Sequence, residues 1–388
     1  MKQETDILII GGGPAGSTTA LYLSKLGYAI TLIEKKKFPR ETLCGEFLSK
    51  EVTDILKELN IFQEFISMKP NQLKSFRAIN DSGTELHSDL NFEAYAMKRS
   101  VFDSLLLENA KKQNVNVTQP AIVKSVSKIN SGFISEIENE SGETVNIKSR
   151  LVVAAYGKQN PLDKKLERNF INKKSLLNGI KFHLPVELLK EKFPDEIRIY
   201  TNEGLYCGMN QVNESEITVC FLENRKITRI PSRERLAEVI GSNKSFRDIF
   251  SDEAIGYINS ANVYGTGNIH FGKREVVENG IIMVGDSARV IAPLAGDGIG
   301  MAMESAKILY EVLIKYKLVE SDIQKIYLDY KQRYDRVFSK RLKTARIIQG
   351  IILNKKLRKI GFTFADKYPA LLPYLIKFTR SGTSAQNS

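Results

Sequence analysis

Gly11, Gly13 and Gly16 stand in G-x-G-x-x-G spacing near the start of the chain, and Glu34 follows at the end of the next apolar run. Residues of these types in this order can recognise a pyrophosphate and a ribose. A glycine turn brings backbone N–H groups against phosphate oxygens, and a carboxylate accepts hydrogen bonds from ribose hydroxyls. Gly11 is expected to make the tight turn, Gly13 to let the backbone approach the pyrophosphate, and Gly16 to let helix and strand pack closely. A glycine loop alone is a weak signal, because plain tight turns use the same spacing. The elements around this one specify it. Ile7 to Ile10 read as a buried parallel strand, Pro14 fits a first helical turn, and Ala20, Leu23 and Leu26 form a helical apolar face that Gly27 ends. Ala29 to Ile33 then form a second strand, closed by Glu34.

A second set of such residues lies late in the chain. Gly280 to Val284 read as a buried strand ending in Gly285-Asp286, and Gly296, Gly298 and Gly300 prepare a close backbone approach before a helix from about Ile299 to Lys315. Cys44, Cys207 and Cys220 are an odd count without metal spacing, which favours a reducing cytosol. His87, His183 and His270 are scattered, so neither a metal cluster nor a nucleophilic triad is expected.

The 388 residues suffice for two domains, and 42% hydrophobic with 26% charged content is that of a globular protein. The first strand begins almost at once, so no signal peptide is expected, and no apolar run reaches the roughly 18–20 residues of a membrane span. The net charge of +12 is concentrated: between Lys331 and Arg380 stand fourteen Lys or Arg against Asp335 and Asp366. No nucleic-acid module appears, and a nucleic-acid enzyme would carry its basic residues around its core. Tyr330 to Arg358 places Val337, Leu342, Ala345, Ile348, Ile351 and Ile352 among basic residues, the pattern of an amphipathic helix. The later ALLPYLIKF is apolar but broken by Pro373. This region either packs on the rest of the chain or docks peripherally on an anionic membrane surface. The expected location is cytoplasmic, with that membrane contact as an addition.

Between these motifs, Phe38-Pro39-Arg40 reads as a loop and Leu43-Cys44-Gly45-Glu46 as a tight approach to a helix from about Ser49 to Leu59. Leu73 to Leu90 predict a hairpin turning at Asp81-Ser82-Gly83, and a helix follows Arg99 with Phe102, Leu105, Leu106 and Ala110 on one face. Asn114–Gln119, Ala121–Ile129, Phe133–Glu138 and Thr144–Ile147 predict short strands, and Leu151–Ala155 a separate buried one. From about Asn169 to Gly272 longer alternating strands predict an antiparallel sheet, decorated by helices near Val186–Lys192 and Ser232–Ser242.

GGGPAG with Glu34, the helix entry at Arg99 and the late VGDSARVIAPLAGDGIG occur in the order of a known superfamily. The chain resembles para-hydroxybenzoate-hydroxylase-like FAD-dependent oxidoreductases, and within them geranylgeranyl reductase-type flavoproteins. The resemblance implies a mixed α/β fold: a Rossmann-type FAD-binding domain, an inserted mostly antiparallel β-sheet substrate domain and a helical C-terminal extension. The expected boundaries are 1–68, 96–165 and 272–325 for the discontinuous FAD domain, 69–95 and 166–271 for the substrate domain, and 326–388 for the basic extension.

By position, the resemblance implies that Gly11, Gly13, Ala15 and Gly16 hold the FAD pyrophosphate, Glu34 the adenosine ribose, and Arg99 the region near the phosphates. It further implies Val123 at the adenine, Asp286 at the ribityl chain, and the N–H groups of Gly298 and Ile299 at the flavin N1–C2=O edge, where a helix N-terminus stabilises negative charge. Cys44-Gly45 resembles a pair that lies beside the ring in the reductases, although a small buried turn residue is an equal reading of Cys44. Tyr206-Cys207-Gly208 resembles a strand lining the substrate cavity, although Met209 and Asn210 depart from its pattern and Tyr206 reads equally as a plain sheet residue. Cys44 and Tyr206 are the catalytic candidates.

Two departures narrow the activity. Ala155-Tyr156-Gly157 stands where hydroxylases of the group carry Asp-Gly, and a chain without Trp lacks the W-x-W-x-I-P signature of tryptophan-type halogenases. The expectation is an FAD enzyme performing two-electron redox chemistry on an apolar, isoprenoid- or polyketide-like small molecule, with NAD(P)H or a protein as transient donor. The alternatives are a monooxygenase using NAD(P)H and O2, and an FAD-binding protein without turnover.

Overall fold

The structure is a computed structural model, and it describes residues 3–227, 230–242, 244–374 and 380. Two eight-stranded sheets organise it. In the first, Glu4–Ile10 lies between Ile30–Ile33 and Thr144–Ala154, all parallel, with Asn116–Thr118 beyond one side and Ile281–Met283 beyond the other. Ile7 to Ile10 and Leu151 to Ala154 are buried on both faces, as continuous apolar strands in a parallel sheet must be.

The predicted break between Thr144–Ile147 and Leu151–Ala155 does not exist: Thr144–Ala154 is a single strand of 11 residues. Its first half pairs antiparallel with Gly132–Asn139, and its second half pairs parallel with Glu4–Ile10. The sequence alternates where one face is open and turns uniformly apolar where both close, so a change of environment looked like an interruption.

The second sheet runs in the order Tyr264–Thr266, Leu177–Pro185, Glu216–Asn224, Leu205–Gln211, Glu196–Asn202, Asn71–Ile79, Glu85–Ala96 and Phe47–Leu48. Its neighbours are antiparallel except Glu196–Asn202 on Asn71–Ile79. The period-2 alternation divides its side chains between two faces. Phe182, Leu184, Leu205, Cys207, Met209, Val219 and Phe221 pack with residues of the helices Ser232–Ser242 and Asp252–Ser260. Lys181, His183, Tyr206, Thr218, Cys220 and Leu222 therefore point to the other side, and the register sets Lys181 opposite Cys220, His183 opposite Thr218 and Tyr206 opposite Leu222.

Near Val186 the expected helix is one 3₁₀ turn, Val186–Leu188. The helix Gly298–Lys315 carries the late glycine motif, and the 31-residue helix Ile323–Leu353 packs beside it. The buried stripe of the long helix is Ile326, Tyr330, Tyr334, Phe338, Leu342 and Ala345. Val337, expected on that face, is exposed, because the packed register runs one residue later through Phe338. A further helix, Lys355–Lys367, follows the cap Asn354. Part of ALLPYLIKF, residues 375–378, lies outside the described residues.

Candidate functional site

The three fingerprint glycines meet different constraints. A Cβ on Gly16 would stand 1.8 Å from the carbonyl oxygen of Gly11, and Gly11, at φ +108°, would place one 2.5 Å from the Ala155 oxygen. Both are dictated by the close contact of turn, helix and neighbouring strand. Gly13 is dictated by nothing so near: a Cβ there would meet only Nη2 of Arg40 at 3.5 Å and Nη2 of Arg99 at 3.8 Å. Gly13 is also the N-cap of helix Pro14–Ser24, which has no side-chain cap. An uncapped helix N-terminus beneath two guanidinium groups suits an anion such as a pyrophosphate.

Those cations are held from behind. Arg99 donates from Nε and Nη2 to the carboxylate oxygens of buried Asp103 at 2.6 and 2.7 Å, and Arg40 Nη1 lies 3.3 Å from the same carboxylate. Burial alone would lower the Arg99 pKa, but Asp103 outweighs it and holds the group firmly protonated. Arg40 was not singled out in the sequence. It occupies a loop, and nothing local marks it apart from its place six residues after Glu34.

Glu34 is buried at the end of its strand, with Oε2 accepting from the Gly12 N–H at 2.7 Å and Oε1 from that of Lys36 at 2.9 Å. A carboxylate has further lone pairs to offer a ribose hydroxyl. Ala121 N–H donates to the Glu34 carbonyl at 2.9 Å. Val123 follows in the same strand, buried and paired with Ile137, at a register shift between Val123 and Ser125. The expected strand break is thus an irregularity within Ala121–Ile129.

The late motif converges on the early one. A Cβ on Gly285 would stand 2.8 Å from that of Ala15, and Ser287 Oγ donates to the Ala154 carbonyl. Asp286, in the turn Gly285–Ser287, keeps a partly exposed carboxylate with Lys158 Nζ 3.9 Å away. Gly298 and Ile299 open the helix, and their N-cap Asp297 gives them no side-chain cap. The Asp297 carboxylate turns instead to Arg341 of the long helix and to Ser49 Oγ at 3.3 Å. Burial foremost pushes Asp297 up to about 6 and Glu304, also bonded to Arg341, up to about 7.

A second charged cluster was invisible in the sequence. Glu46, fully buried at φ +58°, follows Cys44-Gly45 directly. Its Oε1 accepts from the Arg99 backbone N–H at 2.8 Å and from Lys181 Nζ; its Oε2 accepts from Thr218 Oγ1 and lies 2.7 Å from His183 Nε2. Burial would raise the Glu46 carboxyl, but His183 and Lys181 prevail and hold it at about 2. Lys181, equally buried, also donates to Glu41 at 2.8 Å, and these carboxylates raise its pKa against the effect of burial. The result is a fixed ion pair, ionised at neutral pH on both sides. Glu41, Glu46 and His183 could together ligate a metal, but the Lys181 ammonium already occupies the cation's place.

Cys44 is half-buried, its Sγ accepting from the Glu46 N–H at 3.3 Å, and open space surrounds the Cβ position of Gly45. Burial pushes the Cys220 thiol up to about 12, so it is no thiolate near neutral pH. Tyr206 points to the same side, while its neighbours Leu205 and Cys207 enter the helix-packed face. Tyr206 packs with Leu222, Ile269, Phe271 and Val290, and with the partly buried Leu43 and Leu294. Its hydroxyl, buried beside the Leu294 backbone, makes no hydrogen bond of normal geometry.

With this geometry in place, residues 4–337 match the family described as FAD binding domain, and the chain belongs to that family. It is an FAD-dependent oxidoreductase of the para-hydroxybenzoate-hydroxylase-like superfamily, and the reading without turnover is set aside. It is similar to the digeranylgeranylglycerophospholipid reductase of Thermoplasma acidophilum, 25% identical over 93% of this chain and 90% of that one. It is also similar to the 1H-pyrrole-2-carbonyl-[peptidyl-carrier protein] chlorinase of Pseudomonas fluorescens, 25% identical over 79% of this chain and 74% of that one. A flavin-dependent brominase shares the fold at a TM-score of 0.77 and 18% identity, over 97% of this chain and 93% of that one. The lack of Trp thus excludes one halogenase signature, and halogenation remains within the range of these relatives.

The open, cationic helix start at Gly13 fits the FAD pyrophosphate. Bound there, FAD would supply two-electron redox chemistry, with the protein providing position and electrostatics. Arg40 and Arg99 would hold its phosphates, Glu34 its ribose, Asp286 its ribityl chain, and the N–H groups of Gly298 and Ile299 its ring edge.

Proposed function

We propose that this enzyme carries out two-electron reduction of an apolar small molecule of isoprenoid or polyketide type. One observation carries the reading. The loops bearing Cys44-Gly45 and Asp286–Gly298 meet the inner face of the second sheet in an apolar cluster, with Leu43, Val290 and Leu294 from the loops and Tyr206 and Leu222 from the sheet. An apolar substrate lodged at that seam removes hydrocarbon from water and sits beside the residues assigned to the ring end. Glu46 and Lys181 are locked in opposite charges, so they set the local field and orient the Cys44 loop through the Glu46 backbone. They exchange no proton with a substrate near neutral pH. NAD(P)H, as a transient visitor, is the proposed donor; the chain shows one dinucleotide fingerprint.

The similarity to a chlorinase supports oxygen-dependent chemistry, hydroxylation or halogenation, as a second reading. One experiment separates the two. Holoenzyme reduced anaerobically with dithionite is mixed with isoprenoid substrates, and the products are weighed by mass spectrometry. Reoxidation without oxygen and a gain of two hydrogens support the reduction. Reoxidation only on admitting oxygen, with oxygen or halide in the product, supports the second reading instead.

A further inference from the structure

The last described helix has two apolar faces. On one, Phe362, Ala365 and Leu372 bury against Ala78 and Leu86 of the hairpin, and Arg358 donates to Asp81 at 2.7 Å and to the Asn202 carbonyl at 2.9 Å. On the other, Leu357, Ile360, Phe364, Tyr368, Leu371 and Tyr374 are each 40–66% exposed. On the helix Lys355–Lys367, steps of three and four residues put Leu357, Ile360 and Phe364 within roughly 60° of arc at 3.6 residues per turn; Tyr368 ends the helix, and Leu371 in the next 3₁₀ turn and Tyr374 beyond it add to the exposed apolar surface. An apolar stripe this continuous is more than scattered surface hydrophobics. Lys356 and Lys367 are exposed along its edge, Lys355 and Lys359 are exposed on the side away from it, and Asp366 is the one acid between Asn354 and Tyr374. The long helix expected to be amphipathic instead buries its own stripe against the core.

We propose that the face Leu357–Tyr374 docks in the plane of an anionic lipid bilayer. Apolar side chains of this spacing enter the headgroup boundary while flanking lysines meet anionic headgroups. A second copy is the poorer occupant, because a two-fold contact through this face would bring lysines against lysines. No helix among the described residues is long and apolar enough to cross a membrane, so the contact is one of surface docking. Docking also connects with the seam. Ile352, just before this helix, packs both in the cluster beneath it and in the cluster around Tyr206. A lipid-soluble substrate could then pass from the bilayer to the ring end without crossing water. That last step rests on the proposed apolar substrate; the docking does not.

The test is co-flotation of the holoenzyme with vesicles of phosphatidylcholine alone or with phosphatidylglycerol added, at low and high salt. Binding is expected to the anionic vesicles and to weaken as salt rises. Ile360→Asp with Phe364→Asp should abolish it, and Lys356→Glu with Lys367→Glu should weaken it by about 25-fold or more, at about fivefold per basic residue. Circular dichroism, FAD content and dithionite reduction should stay unchanged, which excludes misfolding. Three outcomes overturn the proposal: no binding to either vesicle, equal binding by the aspartate variant, or a concentration-dependent dimer that this variant disperses. Docking without reduction of any isoprenoid would instead sink the proposed function and leave the surface standing.

Discussion

Two of the charged clusters among the described residues, one around Gly13 and one around Glu46, are joined by Arg99. Its guanidinium belongs to the first, through Asp103, while its backbone N–H belongs to the second, through Glu46. They differ in how they are assembled. The first joins a contiguous glycine turn, in which Gly11 and Gly16 follow from backbone sterics, to Arg40, Arg99 and Asp103 brought in by neighbouring elements. The second collects Glu46, Lys181, His183 and Thr218 through a sheet register, with Glu46 and Thr218 separated by 172 positions in the sequence. In the first, Arg40 and Arg99 are paired with Asp103 and Glu34, but the helix start at Gly13 stays uncapped with room for an anion; in the second, the buried groups bond to one another and leave no such opening. The comparison teaches that a ligand site is recognisable by hydrogen-bond donors and space left open, and a positioning site by donors and acceptors that satisfy one another within the protein.

The comparison can be broken in several places. Gly16→Val should have the largest effect, since its side chain would collide with the Gly11 carbonyl; a loss of roughly 4 kcal/mol or more is expected, read as loss of soluble protein or of cooperative unfolding. Glu46→Ala leaves the buried Lys181 ammonium with Glu41 alone and removes the acceptor of the Arg99 N–H and the Thr218 hydroxyl, and should cost about 3–5 kcal/mol by denaturant titration. Adding Lys181→Met should recover part of that loss. If the two losses simply add, the pair is not the unit described. Asp286→Ala should leave folding intact and weaken FAD by about 1.5–3 kcal/mol, the scale of a hydrogen bond to a charged group, by titration of the apoprotein.

The smallest effect sharpens the electrostatics. Glu46 is depressed from its ordinary 4.5 to about 2 in the folded chain, so its contribution to stability is present above about pH 4.5 and lost as pH falls toward 2. The stability gap between the native chain and Glu46→Gln should therefore be constant near neutrality and close over that acidic window. A constant gap down to pH 2 would mean the carboxylate is not held by its partners.

What was legible follows the same division. Gly11, Gly16, Glu34, Asp286 and the Gly298 helix start sit in contiguous segments whose local pattern states strand, turn and helix in order, and the structure forms each there. Arg40 was not legible, because a loop arginine has no periodicity to betray it. The Glu46 cluster was missed for a stronger reason: Lys181 and His183 lie in an alternating strand and look solvent-facing until a second layer covers them. Tyr206 could be given either face until the neighbouring strands fixed which side the helices took. The C-terminal stripe shifted by a helix for a similar reason: the long helix buries its apolar stripe in the main core, while the helix after it buries one face on the hairpin and leaves a second apolar face exposed.

The most direct measurement is the FAD content and FAD affinity of Gly13→Val. Gly13 has extended φ/ψ that any residue adopts and no backbone crowding, so the variant should fold with a native circular dichroism spectrum and unfolding midpoint. Its side chain would fill the space beneath Arg40 and Arg99, so the protein should purify colourless and take up no FAD on titration. A folded Gly13→Val protein carrying FAD at native affinity would contradict the placement of the cofactor, and with it the division between the two clusters.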